Sequence, residues 1–171
     1  MNIKRYGLIF LCLLTACGES DKSEIYNENN TNVVNGVVYD INEKPINGLY
    51  KIYYTNGNVK MEVESKNGKP DGKGVFYDED GNVLFEGYFK NGLTNGKMIN
   101  FYPDGSVHNE MYYTDGVQDG VYKTFNKDGT LAVEVTFEKG KAINGYAIIQ
   151  EHKIEMSPED LNELSSEKQP Q

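Results

Sequence analysis

A glutamate recurs every 24 residues, at Glu62, Glu86, Glu110 and Glu134, and paired carboxylates are the usual machinery of general acid–base hydrolysis. The spacing argues against that use. If each 24-residue unit supplies two antiparallel strands, equivalent glutamates lie two strands apart, about 9.6 Å. That is the far limit for an inverting glycosidase pair, and four equivalent carboxylates lack the differentiated surroundings that make one an acid and another a base. A metal site fails on position. Asp78-Glu79-Asp80-Gly81-Asn82 has the acids of a calcium loop, but its glycine would put Phe76 at the first ligand position and Gly87 at the last, where acids are required. His108 and His152 stand alone in the sequence, and Ser106 has no His/Asp relay around it. No phosphate-binding glycine loop and no Cys-x-x-Cys pair is present. The expectation is a protein that is not an enzyme and uses no cofactor and no metal.

One cysteine does carry chemistry. Lys4 and Arg5 precede an apolar run from Leu8 to Leu14, which is well short of the roughly 20 residues that span a bilayer and so reads as an export signal. It ends in Leu14-Thr15-Ala16-Cys17, which resembles the bacterial lipoprotein lipobox. The resemblance implies cleavage before Cys17 and acylation of its thiol, so the expected membrane contact is the acyl chains on Cys17. Several chains together make an effectively permanent anchor. Gly18, not Asp, follows the cysteine, which in that family favours the outer membrane of a two-membrane cell.

Charge narrows the partners. The 171 residues carry 17 Lys+Arg against 26 Asp+Glu, a formal net charge of −9. Removal of the signal takes Lys4 and the only arginine, Arg5, and leaves fifteen lysines and a net charge of −11. Such a chain is not expected to bind nucleic acid, which needs clustered Lys/Arg.

The elements that hold these residues follow from the glycines. Gly48, Gly72, Gly96 and Gly120 form one 24-residue column, Gly57, Gly81, Gly105 and Gly129 a second, and Gly68, Gly92, Gly116 and Gly140 a third. A fixed period in this range marks a repeat array. Asn56-Gly57, Asp80-Gly81, Asp104-Gly105 and Asp128-Gly129 read as tight hairpin turns, and Asn67–Gly72 and its equivalents as longer ones. Between them one alternating face, such as Val59-Met61-Val63-Ser65, is apolar at 13 of 16 positions across the four units, and the opposite face at 4 of 16. That split predicts half-buried strands with one wet face, which bears the four glutamates. Tyr53, Tyr77, Phe101 and Phe125 fall on the other parity from Tyr50, Tyr54, Tyr102 and Tyr122, so the first strand of each unit is expected to be covered on both sides.

The pattern Gly-x4-[Tyr/Phe]-x2-[Asp/Asn]-Gly-x4-Glu-x5-Gly-x2-[Asp/Asn] resembles variant MORN repeats, as in the YwqK-type family of antitoxin components. The usual Tyr-x-Gly start and His-Gly pair of MORN repeats are absent. The resemblance implies an antitoxin-like binding module. The expected fold is all-β: an elongated, twisted antiparallel meander of stacked hairpins with a short C-terminal helix. Residues 1–16 are the signal, 17–32 the lipidated cysteine and a flexible polar tether, and 33–47 an N-terminal cap strand. Residues 48–144 hold four repeats, 145–156 a C-terminal cap strand, and 157–171 a short helix to about Leu164 with a polar tail. Tyr88 and Tyr112 share the wet face with Glu62, Glu86, Glu110 and Glu134. Rigid aromatic area beside carboxylates suits a basic protein partner, by contact area and cation–π attraction. The alternative is a cell-wall or carbohydrate ligand, although the chain has no Trp with which to build an aromatic cage.

Overall fold

The computed structural model describes residues 24–166. These form β1 (Glu24–Asn27), β2 (Thr31–Val34), β3 (Val37–Asp40), β4 (Gly48–Tyr53), β5 (Val59–Lys66), β6 (Lys69–Tyr77), β7 (Val83–Lys90), β8 (Leu93–Phe101), β9 (Val107–Thr114), β10 (Val117–Gln118), β11 (Gly120–Phe125), β12 (Leu131–Glu138), β13 (Lys141–Ile149), β14 (His152–Glu155) and α1 (Pro158–Ser166). Twelve strands make one open sheet in the order β1-β4-β5-β6-β7-β8-β9-β11-β12-β13-β14, with β10 beside β9, and β2 and β3 pair separately. From β4 onward each strand lies next to its sequence neighbour, as a chain of hairpins must.

The two kinds of turn exchange roles relative to expectation. Asn67-Gly68, Asn91-Gly92 and Asp115-Gly116 place both residues at positive φ, 52° and 73° in the first case, and are the tight two-residue turns. In Asn56-Gly57 and its equivalents only the glycine is left-handed. There a side-chain oxygen takes the amide two residues on, Asn58 N to Asn56 Oδ1 and Thr130 N to Asp128 Oδ1 both at 2.9 Å. These Asx turns satisfy the backbone in a wider loop. The apparent extra length of the tight turns is a bulge in the following strand, where the register slips between Val63 and Ser65 and between Gly87 and Phe89.

Bulges also resolve the aromatic parity. The register shifts between Ile52 and Tyr53, Phe76 and Tyr77, Asn100 and Phe101, and Thr124 and Phe125. The expected cover on both sides of the first strands is not found: β6, β8 and β11 are largely half-buried, and β4 is covered on one face by the cluster of Val38 and Ile46. Aromatics on the two parities serve the two faces of one sheet: Tyr50 is buried on the apolar face, while the Tyr77 hydroxyl reaches Glu62 on the wet one.

Hydrophobic burial is concentrated at the two ends. At one, Val38, Ile46, Tyr50 and Val63 form a cluster joined by Tyr26, Ile52, Met61 and Phe89. At the other, Val135, Phe137 and Ala142 are joined by Tyr122, Val133, Met156 and Leu161 of α1. Between them the apolar face carries Gly74 and Gly87, with Met98 beside Gly87 and Met111 opposite Met98, a stacked Phe76–Phe85 pair with centroids 4.0 Å apart, and an Asn100–Asn109 hydrogen bond.

The end pieces differ from the expected single strands. Glu24–Asn27, expected in the tether, pairs in parallel with β4; Tyr26 packs into the first cluster and Glu28 accepts the Tyr53 amide. Residues 33–39 are split between β2 and β3 by a turn at Asn35-Gly36. The hairpin closes on the sheet end through Val38 N to Gly68 O at 2.8 Å. Expected strand 145–156 is the end of β13 plus β14. Ser157 N-caps α1 reciprocally with Asp160, as its sequence predicts, and the helix runs to Ser166. Among the described residues no helix is long and apolar enough to cross a membrane.

Candidate binding face

Cys17 and the lipobox residues Leu14, Thr15 and Ala16 lie outside the described residues. Glu62, Glu86, Glu110 and Glu134 are all described, and each is held by a lysine of the preceding strand. The pairs are Lys51–Glu62 at 2.9 Å, Lys73–Glu86 at 2.8 Å, Lys97–Glu110 at 2.7 Å and Lys123–Glu134 at 3.2 Å. Their side chains are between 21% and 43% exposed, so water screens each pair and each is worth about 0.5 kcal/mol. This ladder went unseen in the sequence because the lysine changes column. It lies directly opposite its glutamate at Lys51 and Lys123, but two residues earlier and diagonal at Lys73 and Lys97. The exchange is complementary: Leu49/Lys51 and Val121/Lys123 in the outer units, Lys73/Val75 and Lys97/Ile99 in the inner ones. One cation and one aliphatic side chain per unit, always on the wet face, were the available signal.

The ladder sets the charge states. The Lys51 ammonium, helped by the Tyr77 hydroxyl at 2.8 Å, holds the Glu62 carboxyl below its ordinary 4.5 against the opposing effect of burial. Burial first, and the Glu62 carboxylate second, push the Tyr77 hydroxyl up to about 12. Hydrogen bonds to Glu86 and Glu110 raise Lys73 and Lys97. Since the chain's own lysines already meet the four carboxylates, the glutamates are first of all a cross-strand lattice.

Tyr88 and Tyr112 stand above this lattice, 52% and 40% exposed. Each crosses a bulge glycine. A Cβ on Gly120, whose φ is +124°, would sit 3.0 Å from Tyr112 Cβ, and one on Gly96 would sit 3.3 Å from Tyr88 Cβ. The glycine column is therefore the floor on which the tyrosines rest. Beside Tyr112 lies a cavity of about 470 Å³ lined by Glu110, Tyr112, Asp119, Gly120, Val121, Lys123 and Glu134. Asp119 fills the [Asp/Asn] position that closes the repeat pattern, an acid as at Asp71, where the unit between has Asn95.

Other polar groups are structural. Asp78, Asp104 and Asp128 at the wide turns have carboxyls held below the ordinary range by side-chain hydrogen bonds to Asn82, Ser106 and Thr130 and by backbone amides. His108 packs on the Tyr102 ring with centroids 4.4 Å apart, and His152 Nδ1 bonds the Gln150 carbonyl. Among the described residues no three of His, Cys, Asp and Glu gather as a metal-binding group.

Comparison with known proteins matches the chain to the MORN repeat variant family over residues 46–67, 70–91, 94–115 and 118–139. No curated protein matches the chain. Among solved structures, a chain in the crystal structure of accessory secretory protein 1, 2 and 3 in Streptococcus pneumoniae is 15% identical, with a TM-score of 0.37 over 73% of this chain. The match spans about a fifth of that chain (21%).

Proposed function

The chain belongs to the MORN repeat variant family, and from that premise we propose that it is a non-enzymatic recognition module, lipid-anchored through Cys17 in the bacterial cell envelope, that binds a protein partner. In a two-membrane cell its site is the outer membrane. The observation that carries the reading is the pair of tyrosines, Tyr88 and Tyr112, raised on glycine floors above an ion-paired face. Aromatic side chains proud of a rigid lattice offer large contact area at small entropic cost. The lattice is built before any partner arrives, so little of the binding energy goes into ordering it. Neutralisation of a toxin, the role the family resemblance suggests, is the specific form this reading takes.

The anchor and the face are tested separately. Cys17→Ser should abolish incorporation of labelled palmitate and release the protein from the membrane fraction; a variant that stays acylated would remove the anchor from the account. Capture from envelope extracts with the full-length lipoprotein should recover a partner that a folded Tyr88→Ala/Tyr112→Ala variant loses. Equal recovery by that variant would remove the face. Exposed tyrosines also suit glycans, so purified cell-wall sacculi belong in the same experiment: sedimentation of the wild type with sacculi, lost in the tyrosine variant, would replace the protein partner by a wall polymer.

A further inference from the structure

On the wet face the last repeat departs from the two inner ones in its lysine, which changes position, and in Thr136, which stands where they have Tyr88 and Tyr112. On β8, Lys97 lies between two strands that each present a tyrosine and a glutamate. It is opposite Tyr112, bonds Glu110 at 2.7 Å, and feels the charge of Glu86 on the other side. Lys73 on β6 is placed the same way, opposite Tyr88 and bonded to Glu86. On β11 the equivalent column holds Val121, because the lysine has moved two residues on to Lys123. Lys123 faces both Glu110 and Glu134 and bonds the latter. Val121, at the position a lysine takes in the inner repeats, lines the cavity beside Tyr112, and the residue opposite it is the small Thr136. Its lining carries three carboxylates, of Glu110, Asp119 and Glu134, against one ammonium, that of Lys123.

We propose that this cavity is a receptor for one basic side chain, a lysine or arginine presented by the protein partner. The occupant is argued from the molecule itself: a lysine stem beside a tyrosine, its ammonium on the glutamate column, is what the same fold builds two and four strands away. A charge-assisted contact and a cation–π contact to Tyr112 supply the attraction. Lys97 meets Glu110 and Lys123 meets Glu134, so Asp119 supplies the remaining negative charge of the lining. The assignment rests on the reading of the wet face as the protein-binding surface, and it names the chemistry of the contact made there.

The decisive variant exchanges two residues without changing composition or charge. Val121→Lys/Lys123→Val writes the inner-repeat arrangement into the last repeat and fills the cavity with the chain's own lysine. The probe is a tripeptide with one central lysine and blocked termini, titrated into the full-length chain in detergent micelles and followed by amide resonances. Saturable shifts are expected at Tyr112, Gly120 and Val121, weakened about tenfold in the exchange variant and about threefold in Asp119→Asn, in line with the loss of one charge-assisted contact. The matching norleucine peptide should leave these resonances still. Absence of saturable shifts, or equal shifts in wild type and both variants, would overturn the proposal. Asp119→Asn keeps the test open should the exchange variant fail to fold. No partner is used, so the titration can fail while partner capture still depends on Tyr88 and Tyr112, and it can succeed where no partner is recovered.

Discussion

The ends of the sheet and its middle are stabilised by different physics. At the ends, Val38, Ile46 and Val63, and again Val135 and Phe137, are taken out of water by a hairpin or a helix folded back on the sheet. In the middle no such cluster exists among the described residues. Strands β6 to β9 are held by backbone ladders, by the Lys–Glu lattice, and by side chains that lie across glycines. Burial is worth about 25 cal/mol per Å² of apolar surface, whereas a screened ion pair gives a fraction of a kcal/mol. The lesson is a division of labour. Caps hold the array together as terminal repeats must, which leaves the middle free to present a surface whose side chains can change at small cost in stability.

The comparison breaks most visibly at the aromatic residues. Phe137→Ala at the buried end should cost about 3 kcal/mol, while Phe85→Ala, only partly buried and stacked on Phe76, should cost about 1; chemical denaturation of both variants checks this, and equal costs would abolish the distinction between end and middle. Next is the glycine floor. Gly120→Ala should cost about 2 kcal/mol, from its left-handed backbone and its contact with Tyr112. In Tyr112→Ala/Gly120→Ala the steric part should be recovered and the backbone part retained, so the two changes should be non-additive.

Tyr77→Phe removes one hydrogen bond to Glu62, at about 1 kcal/mol. A hydroxyl raised to about 12 in the folded protein favours the fold while protonated. Its contribution is full below the ordinary value of 10.0 and is lost as pH rises toward 12. Burial also raises the Tyr113 hydroxyl, so ultraviolet titration of the variant should show one late tyrosine fewer than the wild type. The smallest effect belongs to the lattice: Lys51→Met should cost about 0.5 kcal/mol at low salt and less at high salt. Glu62 is held below its ordinary 4.5, so its contribution is present above that value and is lost as pH falls through the folded one. Unfolding of Lys51→Met should therefore depend less on pH in that window than unfolding of the wild type.

The repeat period, the strand faces, the wet column of glutamates and the capped helix were legible because each is written in local pattern. Glycines mark turns, alternation marks faces, and Ser157-Pro158-Glu159-Asp160 marks a helix start. The bulges were not, since a one-residue slip leaves no mark except aromatics on two parities, which also fits a strand buried on both sides. The lysine partners were hidden by moving between two positions of one face. Strand β1 was hidden because Glu24-Ile25-Tyr26-Asn27 is polar enough to read as tether, and only its docking on β4 and the packing of Tyr26 make it a strand.

Site-specific photocrosslinking in cells tests whether recognition belongs to the wet face of the repeats. A photoreactive amino acid would replace Tyr88 or Tyr112 on that face, or Phe76 or Phe85 on the opposite one. One discrete adduct is expected from Tyr88 and Tyr112, and none from Phe76 and Phe85. The same adduct from Phe76 and Phe85, with none from the tyrosine positions, would contradict it.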